Sequence, residues 1–134
     1  MTIDTQLSKE LAKAIQSKRA LCWWNAAFSV LRIENTLYVI GYILVKQSNR
    51  LYPHAWVEMN NSIVDPTLVL DDRLTDYRFF PVLRFDRSIM AKEILSNGGH
   101  PGLHNLPQHA ERMLAIRDEI KEILGNNVRF WGEF

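Results

Sequence analysis

The pair Asn60-Asn61 lies between two short runs rich in β-forming residues, 52–59 and 62–66, and it constrains the fold more than any other feature. Asparagine tolerates the positive φ that a two-residue hairpin loop requires. With both residues in the loop, Met59 pairs with Ser62, Glu58 with Ile63, Val57 with Val64 and Trp56 with Asp65. Side chains alternate between faces along a strand, so His54, two residues from Trp56, shares the face of Trp56 and Asp65. His54 and Asp65 are then diagonal neighbours, with backbones roughly 7–8 Å apart, a span that a carboxylate–imidazole hydrogen bond bridges. A slip of one residue places them on opposite faces, so the loop length decides whether they meet.

The remaining segments supply the scaffold for that hairpin. Residues 4–18 are amphipathic, with Leu7, Leu11 and Ile15 at helical spacing. Residues 22–31 are apolar on most sides, the pattern of a buried central helix. Residues 37–46 predict a strand buried on both faces, and residues 47–50 a turn. Residues 77–85 predict another strand, in which Pro81 requires an edge position or a bulge. A short helix over 88–95 is stopped by Asn97-Gly98-Gly99. A longer one over 107–124 has Pro107 in its first turn and Gly125 at its end. The aromatics Phe130, Trp131 and Phe134 of the tail are expected to dock on the body. Together these elements predict a single α+β domain over residues 1–134.

Bulk properties exclude several classes. A 47% hydrophobic content is enough for a core, and a net charge of +1 gives no field for nucleic acid or an anionic membrane. No run approaches the ~20 apolar residues of a membrane span. The one cysteine, Cys22, rules out an internal disulfide and a cysteine-rich zinc site. His100, His104 and His109 lack an acidic cluster nearby, so neither a metal nor another cofactor is expected. The N-terminal residues have no apolar signal core, and a reducing cytoplasm is the expected compartment.

Cys22 stands at the start of its predicted helix, where the helix dipole and a neighbouring imidazolium favour the thiolate. Cysteine, histidine and aspartate then follow in chain order as Cys22, His54 and Asp65. In that arrangement His54 takes the thiol proton and returns one to the leaving group, while Asp65 orients the ring. The backbone N–H of Cys22 is a candidate oxyanion donor. Gln16 is the first candidate for a second donor and Trp23 the next. Asn25, one turn after Cys22, is placed to buttress the site or to satisfy a buried backbone group. Trp56 is a candidate wall for a substrate groove.

These residues resemble the transglutaminase-like branch of the papain-like superfamily. His54-Ala55-Trp56-Val57-Glu58 followed by Val64-Asp65-Pro66-Thr67 is similar to that branch's histidine and aspartate strands. Cys22-Trp23 is similar to the Cys-Trp that opens the nucleophile helix of papain-like enzymes, and Tyr38 to Tyr42, with Gly41, to the intervening strand. The resemblance covers residues 16–68. It implies a papain-like core in which a nucleophile helix packs on a small antiparallel sheet, with C-terminal helices added. It also implies acyl transfer through a Cys22 thioester on an amide bond of a peptide or protein. The glycine-rich approach to the nucleophile found in papains is replaced here by Lys18-Arg19-Ala20-Leu21. The family holds peptidases, amidases, cross-linking enzymes and inactive members. A catalytically idle protein-binding module and a small-molecule N-acyltransferase are the alternative readings.

Overall fold

The computed structural model describes residues 1–46 and 48–130. Gln47, in the expected turn, and Trp131 and Phe134, expected to dock, lie outside the described residues. The fold is α+β, and the described residues form four α-helices and a six-stranded mixed sheet. The strands are β1 (Thr2–Ile3), β2 (Leu37–Val45), β3 (Arg50–Met59), β4 (Ser62–Val64), β5 (Tyr77–Phe85) and β6 (Arg129–Phe130). Their spatial order is β1-β4-β3-β2-β5, with β6 pairing a second stretch of β3. The helices are α1 (Thr5–Ile15), α2 (Cys22–Arg32), α3 (Arg87–Ser96) and α4 (Pro107–Leu124).

The expected antiparallel sheet is corrected by two parallel additions. β1 runs alongside β4, and β6 alongside the start of β3. Each is only two residues long, too short to leave a periodic signal in the sequence. The antiparallel centre follows the sequence register: Val57 opposes Val64, Glu58 opposes Ile63 and Met59 opposes Ser62. Asn60 and Asn61 both take positive φ, 52° and 58°, as the two-residue loop requires. β5 is an edge strand, and the β2–β5 register shifts between Ile40 and Gly41, opposite Leu83 and Pro81. Proline, which cannot donate to a ladder, thus sits at both an edge and a bulge.

Two layers of side chains hold the helices and turns on the sheet. On one face, Tyr38, Ile40, Ala55 and Val57 pack against Ala26, Ala27 and Val30 of α2 and Met90 of α3. Farther along that face, Leu44 and Leu51 pack against Met113, Ile116 and Ile120 of α4 and Phe130 of β6. On the other face, Val39, Ile43 and Trp56 meet Leu68, Val69 and Leu74, carried by two 3-10 helical turns. The small residues of α2 let its backbone approach the sheet closely. Its outer side is not buried, contrary to the sequence reading: Trp24, Phe28 and Leu31 are 36%, 44% and 47% exposed. Apolar composition alone could not separate the sheet-facing alanines from this outer stripe.

α1 is capped by Asp4, whose carboxylate accepts from Leu7 N at 2.9 Å. Its buried face carries Ser8, Leu11, Ala12 and Ile15. α3 begins one residue earlier than its sequence pattern suggested, because Asp86 caps it by accepting from Ile89 N at 2.8 Å. Gly98 and Gly99 follow its end with positive φ, where side chains other than glycine's are strained. No helix among the described residues is long and apolar enough to cross a membrane.

Candidate active site

The site forms where the β3–β4 hairpin forks. β4 ends at Val64, and the chain turns away from β3 through Asp65 into the 3-10 turn that begins at Leu68. His54 remains on β3 and is 5% exposed, while Asp65 is fully buried. His54 Nε2 and Asp65 Oδ2 are 2.6 Å apart. The other carboxylate oxygen, Oδ1, accepts from the backbone N–H groups of Thr67 and Leu68, both at 2.9 Å. Asp65 therefore caps the turn with one oxygen and holds the imidazole with the other.

Asp65 takes Nε2, which leaves Nδ1 as the other ring nitrogen, and Cys22 lies near enough to the ring to influence its titration. Burial works against a charged His54 ring. The Asp65 charge and hydrogen bond, joined by the contact with Cys22, outweigh it and raise the His54 pKa from 6.5 to about 10. The Asp65 carboxylate thus favours the charged form of the ring in spite of its burial. Trp56 stacks behind it, with ring centroids 6.1 Å apart and planes at 21°.

Cys22 is the first residue of α2 and is partly exposed. Leu21, the residue at the cap position, offers no side-chain hydrogen bond to the first turn. The early N–H groups of α2 thus keep their partial positive charge next to the sulfur. Ala20, just ahead, is held at φ 62°. That conformation is the one glycine adopts freely, although the sequence has alanine there.

The other sequence candidates fall in different places. Gln16 is exposed and forms the left-handed cap of α1, its backbone N–H bonding Ala12 O and Lys13 O. Asn25 is buried, and its carboxamide is fully engaged: it accepts from Lys18 N at 3.1 Å and donates to Lys18 O at 2.7 Å and Thr67 Oγ1 at 2.9 Å. It buttresses the site and has no group left for an oxyanion. Trp56 is completely buried and edge-on to Phe79, so it backs His54 instead of walling a groove. Its alternating β pattern could not reveal that the turn at Leu68–Asp71 covers it. Trp23 is partly buried, with its ring edge-on to His100 and His104 at 5.8 and 5.9 Å.

Two further residues complete the frame. Ser8 Oγ donates to Asp4 O at 2.7 Å and accepts from the Asp65 N–H at 2.9 Å. It is completely buried, the one polar residue on the inner stripe of α1. That polar break between Leu7 and Leu11 was its sequence signal. Thr67, part of the Asp65-Pro66-Thr67 motif, receives the Asn25 hydrogen bond. Among the described residues, no group of three or more His, Cys, Asp or Glu side chains is placed to hold a metal ion.

No protein-family model matches the chain, nor does any curated protein or solved structure.

Proposed function

We propose that the protein is a cysteine-dependent acyl-transfer enzyme that opens amide bonds of a peptide or protein through a Cys22 thioester. The observation that carries the reading is the buried His54–Asp65 pair, 2.6 Å apart, with Cys22 at the start of α2 near enough to influence the ring. A buried imidazolium beside a thiol stabilises the thiolate, and a thiolate is the attacking species. The sulfur adds to the amide carbon, and the oxyanion meets the uncapped first turn of α2. His54 gives its proton to the departing amine. A water, activated by the neutral ring, then opens the thioester and releases the acid. Asp65 holds the ring in the tautomer this exchange needs.

The chain order, the helix start under Cys22 and the hairpin register also support placement within a papain-like, transglutaminase-like architecture. Hydrolysis is favoured over transfer to an amine, since nothing around Cys22 marks an amine site that excludes water. A reducing compartment such as the cytoplasm suits a free, reactive thiol.

Alkylation tests the reading. Iodoacetamide should modify Cys22 at pH 6 faster than it modifies a free thiol of pKa ~8.5, and His54→Ala should slow the reaction sharply. A rate that follows an ordinary thiol titration, unchanged by His54→Ala, would sink the enzyme reading. Incubation with a glutamine-containing peptide, with and without a primary amine, then separates amidase, peptidase and cross-linking products by mass.

A further inference from the structure

A chain of contacts begins at the bulge opposite Pro81 and ends at the start of α2. The β2–β5 register shifts between Ile40 and Gly41. A bulge interrupts the ladder, and backbone groups there turn to other partners. The Gly41 carbonyl lies 2.9 Å from His104 Nε2. A carbonyl only accepts, so Nε2 carries the proton and His104 is the donor. Gly41 has no room for a side chain, since a Cβ there would stand 2.1 Å from the Phe80 carbonyl oxygen. Gly41 is also the cross-strand partner of His54. One residue therefore meets both the strand of the candidate base and the loop that follows α3.

That loop, residues 97–106, is tied to itself and to the sheet. Asn97 Nδ2 donates to His100 O at 2.9 Å and to Gly102 O at 3.2 Å. Tyr38 of β2 donates its hydroxyl proton to Pro101 O. Leu103 is completely buried in the core that α2 covers. The loop in turn holds the first turn of α2. The Trp23 ring is edge-on to His100 at 5.8 Å and to His104 at 5.9 Å, and Trp24 is edge-on to His100 at 5.6 Å. Trp23 directly follows Cys22. Leu21 provides no side-chain cap, so packing on this loop and the Asn25 bonds are what fix the turn.

We propose that His104 is a positioning residue for the reaction of Cys22. Its hydrogen bond to the Gly41 carbonyl sets the loop, and through Trp23 the start of α2, against the strand that carries His54. The role rests on the acyl-transfer reading. A displacement of about 1 Å from a change far from the chemistry can cost on the order of 10²-fold in rate. A single bond remote from the sulfur is therefore enough to matter, and its loss acts on the alignment of thiol and imidazole.

The test is the rate of Cys22 alkylation by iodoacetamide in the full-length protein at pH 6, divided by the rate at pH 9. The ratio cancels changes in access to the sulfur and reads its pairing with His54. His104→Phe keeps a ring against Trp23 and loses the donor, and it should lower the ratio about fivefold or more. His104→Gln keeps a donor for Gly41 O and should bring the ratio back to within about twofold of the parent. An unchanged ratio in His104→Phe overturns the proposal, and so does a ratio in His104→Gln as low as in His104→Phe. Should His104→Phe fail to fold, Asn97→Ala decides, because it cuts the loop's ties to His100 O and Gly102 O. A lowered ratio there supports the role and an unchanged one overturns it. A parent ratio equal to that of a free thiol defeats the acyl-transfer reading and this role with it. A raised parent ratio that His104→Phe leaves in place defeats this role alone.

Discussion

Asn25 and Thr67 join the two halves of the site across a single hydrogen bond of 2.9 Å. Asn25 belongs to the helix that carries Cys22, and Thr67 to the turn that Asp65 caps. The same carboxamide grips both backbone groups of Lys18, which begins the approach to Cys22. One buried side chain therefore sets the distance between the sulfur's helix and the carboxylate's turn. Asn25→Ala strands these partners, and each unsatisfied buried group costs ~1–3 kcal/mol. A loss of about 2 kcal/mol in urea unfolding is expected, together with slower alkylation of Cys22 at pH 6. Lost stability with an unchanged alkylation rate would mean that Asn25 supports the fold and not the site.

Asp65→Asn separates the two oxygens of the carboxylate. The amide oxygen can still accept from the Thr67 and Leu68 N–H groups, so the turn survives. The amide nitrogen then faces His54 Nε2 as a donor, which forces a proton off that nitrogen and onto the one facing Cys22. In a triad of this logic the loss reaches ~10⁴ in turnover. The expected result is a folded protein with turnover of a peptide substrate greatly reduced. An unfolded variant would make Asp65 a turn residue first.

His54 and His104 predict opposite slopes of stability against pH. The His54 pKa is raised to about 10 in the folded state, so its contribution is fully present below the unfolded value of 6.5. It is lost as the pH climbs from there through about 10. His104 is depressed to about 4, so its contribution is present above 6.5 and is lost as the pH falls through about 4. Thermal melts should therefore decline on both sides of neutrality. His54→Gln should flatten the alkaline limb, and His104→Gln, which can still donate to Gly41 O, the acidic limb. An alkaline limb unchanged in His54→Gln would show that the ring is not held charged.

Much of this was legible in the sequence because the hairpin is a strictly local device. A two-residue loop of asparagines fixes the register, the register fixes the shared face, and the meeting of His54 with Asp65 follows from it, whereas Cys22 was read from its place at a helix start. Pro81 likewise announced the bulge opposite Gly41. What escaped depends on contacts between distant segments. Ser8 reaches Asp65 across 57 positions of sequence, and Asn25 reaches Thr67 across 42. The burial of Trp56 depends on the turn that folds over it, and the pairings of β1 and β6 on partners remote in the chain. Gln16 shows the limit of spacing as a guide, since the chain reverses at that residue and its helical phase relative to Cys22 is lost.

Ala20 supplies the last prediction. It holds φ 62° just before α2, in a region that costs a side chain with a Cβ roughly 1–2 kcal/mol. Glycine removes that strain but adds freedom to the unfolded chain, a cost of ~0.5–1 kcal/mol. The balance favours glycine, so Ala20→Gly should raise stability by about 0.5 kcal/mol. Ala20→Val should lower it by more, because a branched Cβ crowds the left-handed backbone further. Asn25 still fixes Lys18 in both variants, so Cys22 alkylation should hold near its original rate in Ala20→Gly. Urea midpoints of the three proteins in the order glycine, alanine, valine check the strain. A reversed order would show that Ala20 is relaxed where it stands, and that no conformational penalty is built into the approach to Cys22.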